Sequence, residues 1–354
     1  MLNGCYLLPG PEFYVAVDNK GLWPNLMLLA NGEIAAAFYN HASHGFGNGN
    51  VELWTSADEG RLWTGRSTVS DHRDRPQVVR MNHAVGINAK GELIILVGGW
   101  SEARKQPVLP VQVCISADHG CTWRRHEIGV AAFPFGPIVR GGDGTLTCAI
   151  HDDFERTSRL YTSRDDGRTW GDDRLLAHPG DETALLRCGN GTWLAAMRSW
   201  LTESEKAFGV ESGRIVLFTS RDEGLTWDEG RQITYQGQSP AHLLDLGDGS
   251  ILLSCGSRME GLYGVILRLS RDSGQTWSKP VTLISIPGPS DCGYPASVQP
   301  SDGTIVTAYY FGARLPECDP VAAENPRKIV PNTLPWHRRY HMGVARWRLE
   351  NLGV

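Results

Sequence analysis

Four residues of this 354-residue chain have side chains that could act together on one substrate: Glu182, Tyr294, Arg198 and Arg258. A phenol, whose ordinary pKa lies near 10, can share its proton with a neighbouring carboxylate. Guanidinium forks grip carboxylates through paired N–H donors. Together the set suits hydrolysis of a glycoside of an acidic sugar, where an oxocarbenium-like transition state calls for a nucleophile and a proton donor.

These residues lie far apart in the chain, so the fold must bring them together. The pattern Ser-x-Asp-x-Gly-x-x-Trp recurs five times: SADEGRLW from Ser56, SADHGCTW from Ser116, SRDDGRTW from Ser163, SRDEGLTW from Ser220 and SRDSGQTW from Ser270. Each reads as a hairpin, an Asp box, in which Ser and Asp tie down turn amides, Gly takes a positive φ and Trp packs into the sheet. These acids are therefore assigned to architecture. A second repeat, two strand-like runs around a Gly turn, is centred on Gly32, Gly91, Gly144, Gly191, Gly249 and Gly303. The six units imply an all-β, six-bladed β-propeller of four-stranded blades, formed as one domain over residues 1–354. The last unit lacks an Asp box and ends after RYHMGVARWRL, so the N-terminal segment near EFYVAV is expected to supply its fourth strand and cover the edge.

The blade plan selects the residues that meet. Nine positions before each Gly are Trp23, Asn82, Phe135, Glu182, Pro240 and Tyr294, expected to ring the axis at the end opposite the Asp boxes. Seven to nine positions after each Gly come Tyr39 to His41, Gly98 to Trp100, His151 to Asp153, Arg198 to Trp200, Gly256 to Arg258 and Tyr310 to Gly312. The loop HASHGFGNGN and the stretch from Ala313 to Arg339 add to this rim, where a propeller carries its function.

With these residues in place the chain resembles the sialidase (neuraminidase) superfamily. The segment ETALLRCGNGTWLAAMR is similar to the stretch in which a Glu sixteen residues before an Arg assists the catalytic Tyr, here Glu182 and Arg198. GYPASVQPSDGTIVTAYY resembles the stretch carrying the Tyr nucleophile, here Tyr294, and Arg258 in SCGSR stands where a further Arg of the carboxylate clamp is expected. The resemblance implies an exo-acting glycoside hydrolase that releases terminal sialic acid. Two positions depart from it. Leu22 in GLWPNL occupies the place of the first clamp Arg, for which Arg80 is a candidate replacement. His44 in YNHASHGF occupies the place of the acid/base Asp, and an imidazole can donate a proton near neutral pH. Asp71 and Asp74 are the competing acids, Asp71 also counting among the substrate contacts. His41 and His83 are read as binding or supporting groups. The departures leave two alternatives: a glycosidase or lyase acting on a different uronic or nonulosonic acid, and a carbohydrate-binding propeller without catalysis.

Composition narrows the rest. With 41% hydrophobic and 21% charged residues and no apolar run of bilayer length, a membrane-spanning chain is not expected. The net charge of −5 and the lack of a Lys/Arg block argue against nucleic acid as a partner, leaving an acidic glycan or glycoside. Eight cysteines show no zinc-site spacing and read as reduced core residues; no metal or other cofactor is implied. MLNGCYLLPG lacks the basic residue and apolar run of a signal peptide, so a cytoplasmic location is expected unless a leader was removed. Oligomeric state is left open.

Overall fold

A computed structural model describes residues 10–41, 48–71, 78–101, 105–200, 213–286, 291–312 and 340–353. After β1 (Glu12–Val17), the first four-stranded sheet runs β2 (Leu22–Leu28), β3 (Ile34–Tyr39), β4 (Val51–Ser56) and β5 (Thr64–Thr68). A nine-stranded sheet comes next. One part holds β6 (Val78–Ile87), β7 (Leu93–Ser101), β8 (Lys105–Val108), β9 (Gln112–Ser116) and β10 (Arg124–Glu127). The other holds β11 (Phe133–Arg140), β12 (Leu146–Asp152), β13 (Thr157–Ser163) and β14 (Gly171–Ala177). The parts join through a short parallel pairing of β6 with β11, Ala84 opposite Gly136 and Val85 opposite Pro137. Two further four-stranded sheets hold β15 (Thr183–Arg187), β16 (Trp193–Ser199), β17 (Arg214–Ser220) and β18 (Arg231–Gln232), then β19 (Gln238–Gly247), β20 (Ser250–Ser257), β21 (Gly264–Ser270) and β22 (Val281–Ser285). The final sheet has the order β1, β25 (Tyr340–Arg348), β24 (Thr304–Gly312), β23 (Gly293–Val298). The arrangement is all-β and propeller-like.

The N-terminal segment pairs where expected, Glu12 opposite Arg346 and Val15 opposite Gly343, and covers what would otherwise be an open edge. Apolar clusters fill the spaces between successive units. One joins Leu26, Ile34 and Phe38 of the first sheet to Val306, Met342 and Val344 of the last. Another joins Ala35 and Ala37 of β3 to Ile95 and Val97 of β7. Strands such as β3 (IAAAFY) read as continuous apolar runs because both faces are covered by neighbouring sheets.

The Asp boxes fold as their residue types dictate. In the first, the Ser56 hydroxyl donates to Asp58 Oδ1 at 2.7 Å and accepts the Gly60 amide at 2.8 Å, while Asp58 Oδ1 accepts the Leu62 amide at 2.8 Å. The Trp63 indole donates to the Gly60 carbonyl at 2.9 Å. The structure adds a feature not expected from the motif: the residue before each Gly is also left-handed, with φ of 60° at Glu59, 56° at His119, 60° at Asp166, 58° at Glu223 and 56° at Ser273. Two consecutive positive φ values turn the chain back sharply within the link that joins the paired Thr55 and Thr64, and the Ser–Asp brace holds a side-chain-bearing residue there.

Among the described cysteines, Cys114, Cys148, Cys188, Cys255 and Cys292 are buried free thiols and Cys121 is exposed. Burial pushes the Cys114 thiol up to about 12 and that of Cys188 to about 11, which makes them unreactive packing groups. Among the described residues, no helix is long and apolar enough to cross a membrane, and no group of three or more His, Cys, Asp or Glu is placed to hold a metal ion.

Candidate active site

The inner strands do not run straight to the axis. Ladder pairing is interrupted between Leu22 and Asn25, Arg80 and His83, Phe135 and Val139, Gln238 and Ala241, and Gly293 and Ala296. Such bulges re-aim side chains, and here they fall at Trp23, Asn82, Phe135, Pro240 and Tyr294, whereas the strand after Glu182 pairs without a break. Two of these residues hold left-handed backbone, Trp23 at φ 54° and Tyr294 at φ 49°, an uncommon conformation for bulky residues. The result is a cavity of about 370 Å³. Trp23, Asn82, Glu182 and Tyr294 border it from the inner ring, and Trp100, His151, Asp153, Arg198 and Arg258 from the rim. Phe135 and Pro240 border a smaller adjoining cavity that shares Trp23 and Tyr294.

At its centre the Tyr294 hydroxyl donates to Glu182 Oε1 at 2.8 Å and accepts from Arg198 Nη1 at 2.9 Å. Arg198 Nη1 also lies 2.7 Å from Glu182 Oε2. Trp23, Phe135 and Tyr310 surround the phenol ring at centroid distances of 6.3, 6.2 and 5.5 Å. Burial raises the Glu182 carboxyl above its ordinary value, with Arg198 opposing, and burial likewise pushes the Tyr294 phenol up. A phenol so placed stays protonated until a base takes its proton, and Glu182 is the base in contact.

Arg198 has a partner that the spacing of the repeats did not single out. Asp181, 3% exposed, accepts Nε at 2.7 Å and Nη2 at 3.0 Å, so the forked edge of Arg198 already holds a carboxylate. The Trp200 indole also donates to Asp181, as does the Glu182 amide at 2.7 Å. Arg198 therefore organises Tyr294 and Glu182, and one Nη2 hydrogen is left beyond these contacts. Arg258 is held more loosely: Nη2 lies 3.3 Å from both Asp291 Oδ1 and the Tyr310 hydroxyl, its guanidinium carbon sits 5.3 Å from the Tyr294 ring centre, and its buried Nε has no partner. Asp291 in turn accepts the Tyr310 hydroxyl at 2.6 Å and that of Tyr340.

Other sequence candidates lie elsewhere. Arg80 is 2% exposed and donates to the carbonyls of Val97 (3.2 Å) and Pro110 (2.6 Å) and to Glu127 Oε1 (2.8 Å). It is not among the described cavity-lining residues, and Leu22 is fully buried in the aromatic cluster that includes Trp23 and Tyr294. His83 is also buried, its Nδ1 2.7 Å from the Met81 carbonyl and its Nε2 3.0 Å from that of Ala37, and burial pushes its pKa down. His41 packs its ring 6.1 Å from that of Tyr39, with burial again lowering its pKa. The Asp71 backbone exchanges hydrogen bonds with the Gln112 amide at 2.8 and 3.1 Å. Neither His41 nor Asp71 borders the cavity. His44 and Asp74 lie outside the described residues.

The residues that sequence reasoning missed are Asp181 and Asp291. Each had a signal: Asp181 adjoins Glu182 in the ring position, and Asp291 precedes Tyr294 by three residues. Both stand just ahead of a strand, Asp181 before β15 and Asp291 before β23, where strand alternation assigns no face.

A family model described as a BNR repeat-like domain matches residues 32–307. Comparison with curated proteins by sequence gives no match. Among solved structures, a protein of unknown function from Dyadobacter fermentans superposes with a TM-score of 0.73 at 20% identity, covering 96% of this chain and 99% of that one. The Hadza microbial sialidase Hz136 gives 0.67 at 17% identity, covering 94% of this chain and 66% of its own. Trypanosoma rangeli sialidase in complex with the inhibitor DANA gives 0.68 at 14% identity, with 98% and 61% covered. The chain thus spans about three fifths to two thirds of those sialidases, and what it shares with them is the fold.

Proposed function

The chain belongs to the BNR repeat-like family, and from that premise we propose that it is a glycoside hydrolase of the sialidase type acting on a terminal acidic sugar. The reading is carried by one observation: a buried phenol, Tyr294, whose hydroxyl is shared between Glu182 at 2.8 Å and Arg198 at 2.9 Å beside an open cavity. In this reading Glu182 takes the phenol proton as Tyr294 attacks the anomeric carbon. Arg198 steadies both groups, and Arg258 contacts the sugar carboxylate, with the remaining Nη2 hydrogen of Arg198 as a second contact. Sialic acid is the first candidate substrate. The filling of the Arg198 fork by Asp181, with Leu22 in the place of the first clamp Arg, supports a second, in which the sugar is another uronic or nonulosonic acid held by fewer guanidinium contacts.

The same reading treats the two parts of the nine-stranded sheet as separate blades. The joint is only a short parallel pairing, and apolar residues of both parts pack face to face, Ile94 and Leu96 with Ile138 and Leu146. A single domain of six blades then carries the pocket at its axis.

The test is a panel of 4-methylumbelliferyl glycosides of N-acetylneuraminic acid, glucuronic acid and galactose, run with the wild type and Tyr294→Phe. Turnover of an acidic glycoside is expected, with a loss of at least about a hundredfold in the variant, the scale on which a positioned catalytic group acts. Preference for the uronide selects the second substrate. Turnover of no acidic glycoside, or an unchanged rate in Tyr294→Phe, refutes the proposal; binding without turnover marks a carbohydrate-binding propeller.

A further inference from the structure

We propose that His151, oriented by Asp153, is the catalytic residue that transfers the proton between the leaving group and water in this pocket. The inference rests on the glycosidase reading above. His151 is 2% exposed near the end of β12, lines the same cavity as Tyr294 and Glu182, and packs its ring 5.7 Å from Phe133 and 6.5 Å from Phe135. Its Nε2 lies 3.2 Å from Asp153 Oδ1, and its buried Nδ1 has no hydrogen-bond partner. An imidazole anchored at one nitrogen by a carboxylate and unpartnered at the other is the arrangement that proton transfer requires, because the carboxylate sets the ring orientation and stabilises the imidazolium. A purely structural histidine would satisfy both nitrogens.

The hairpin fixes this geometry. Asp152 Oδ1 accepts the amides of Phe154 at 2.7 Å and Glu155 at 2.9 Å, and the turn so formed carries Asp153 at the rim. The charged groups that act on His151 are Asp153 on its own hairpin and Asp181 and Glu182 ahead of β15; β11 presents Phe133 and Phe135, and β13 places Ser158 opposite it. Burial opposes the imidazolium, but these three carboxylates outweigh it and raise the pKa above the ordinary 6.5. The shift favours the imidazolium, the form that gives a proton to a departing group.

Protons and electron pairs balance over the two halves of the reaction. Tyr294 O bonds to the anomeric carbon as its proton passes to Glu182. The bond from that carbon to the leaving oxygen breaks, and the oxygen takes a proton from the His151 imidazolium. Neutral His151 then takes a proton from the attacking water, and Tyr294 departs with the proton held by Glu182.

Two measurements test this. In imidazole nitrogen NMR of the whole protein, His151 should titrate above 6.5, and Asp153→Asn should lower that value; an imidazole that stays neutral from pH 5 to 8 overturns the proposal. In kinetics with methyl and 4-nitrophenyl glycosides of the acidic sugar that is turned over, His151→Gln should lose roughly a hundredfold or more on the methyl glycoside and less than about tenfold on the activated one. Equal losses on both, in a variant whose melting temperature is unchanged, overturn this role alone. A wild type silent on both overturns the glycosidase reading and this role with it.

Discussion

Asp181 offers the sharpest test of how the site is held together. Its carboxylate accepts two guanidinium hydrogens of Arg198, the Trp200 indole and the Glu182 amide, all with almost no solvent access. Removing one partner of a buried ion pair costs about 3–5 kcal/mol, because the other charge is left desolvated. In Asp181→Ala the Arg198 charge would keep Glu182 as its acidic partner, 2.7 Å away, so the lower end, about 3 kcal/mol, is expected. At about 2 °C per kcal/mol for a chain of this size, the melting temperature should fall by roughly 6 °C. The substitution also opens a carboxylate-sized space at the Arg198 fork. Added acetate should therefore recover part of the lost stability, with a saturable dependence on its concentration, while the same concentration of chloride should not. Differential scanning fluorimetry reads both effects. A melting temperature within about 1 °C of wild type, or equal responses to acetate and chloride, would refute the claim that Asp181 fills this fork.

Arg258→Gln should raise KM for the acidic aryl glycoside roughly 10- to 100-fold, the equivalent of one charge-assisted contact, and leave binding of the neutral analogue unchanged; steady-state kinetics with the matched pair decides it. The Asp-box carboxylates of Asp118, Asp222 and Asp272 are each lowered to about 2, chiefly by hydrogen bonds from the Thr four residues on. A depressed folded-state value means that their stabilisation is complete above the unfolded value near 3.8 and is lost as pH falls toward 2. Asp118→Asn should thus melt lower than wild type above about pH 4, the gap closing toward about pH 2 in a pH series of thermal melts; a gap that is constant with pH would count against the assignment.

The local chemistry of the repeats was legible in the chain alone. Ser, Asp, Gly and Trp at fixed offsets specify one hairpin whatever surrounds it, because the bonds run within eight residues. All six turn glycines of the second repeat show a positive φ, from 78° at Gly91 to 87° at Gly144. Counting from those turns singled out Glu182, Tyr294, Arg198 and Arg258 as residues able to meet, since strand length converts directly into height along a blade. The partners they would take were not legible. Arg80, a candidate for the clamp, turns its guanidinium to Glu127 and two carbonyls, while Asp181 and Asp291, assigned to no role, anchor the two arginines that face the cavity. Asp181 and Asp291 stand just ahead of β15 and β23, outside the counted ladders, and around Arg80 the reason is the bulges of the inner strands. Each inserts residues into the ladder and rotates the next part of the strand, so the face that a side chain takes depends on where pairing breaks, and that is decided by packing between sheets distant in sequence. The Asp boxes were therefore determined by eight residues at a time, and the contacts of the pocket only by the closed tertiary structure.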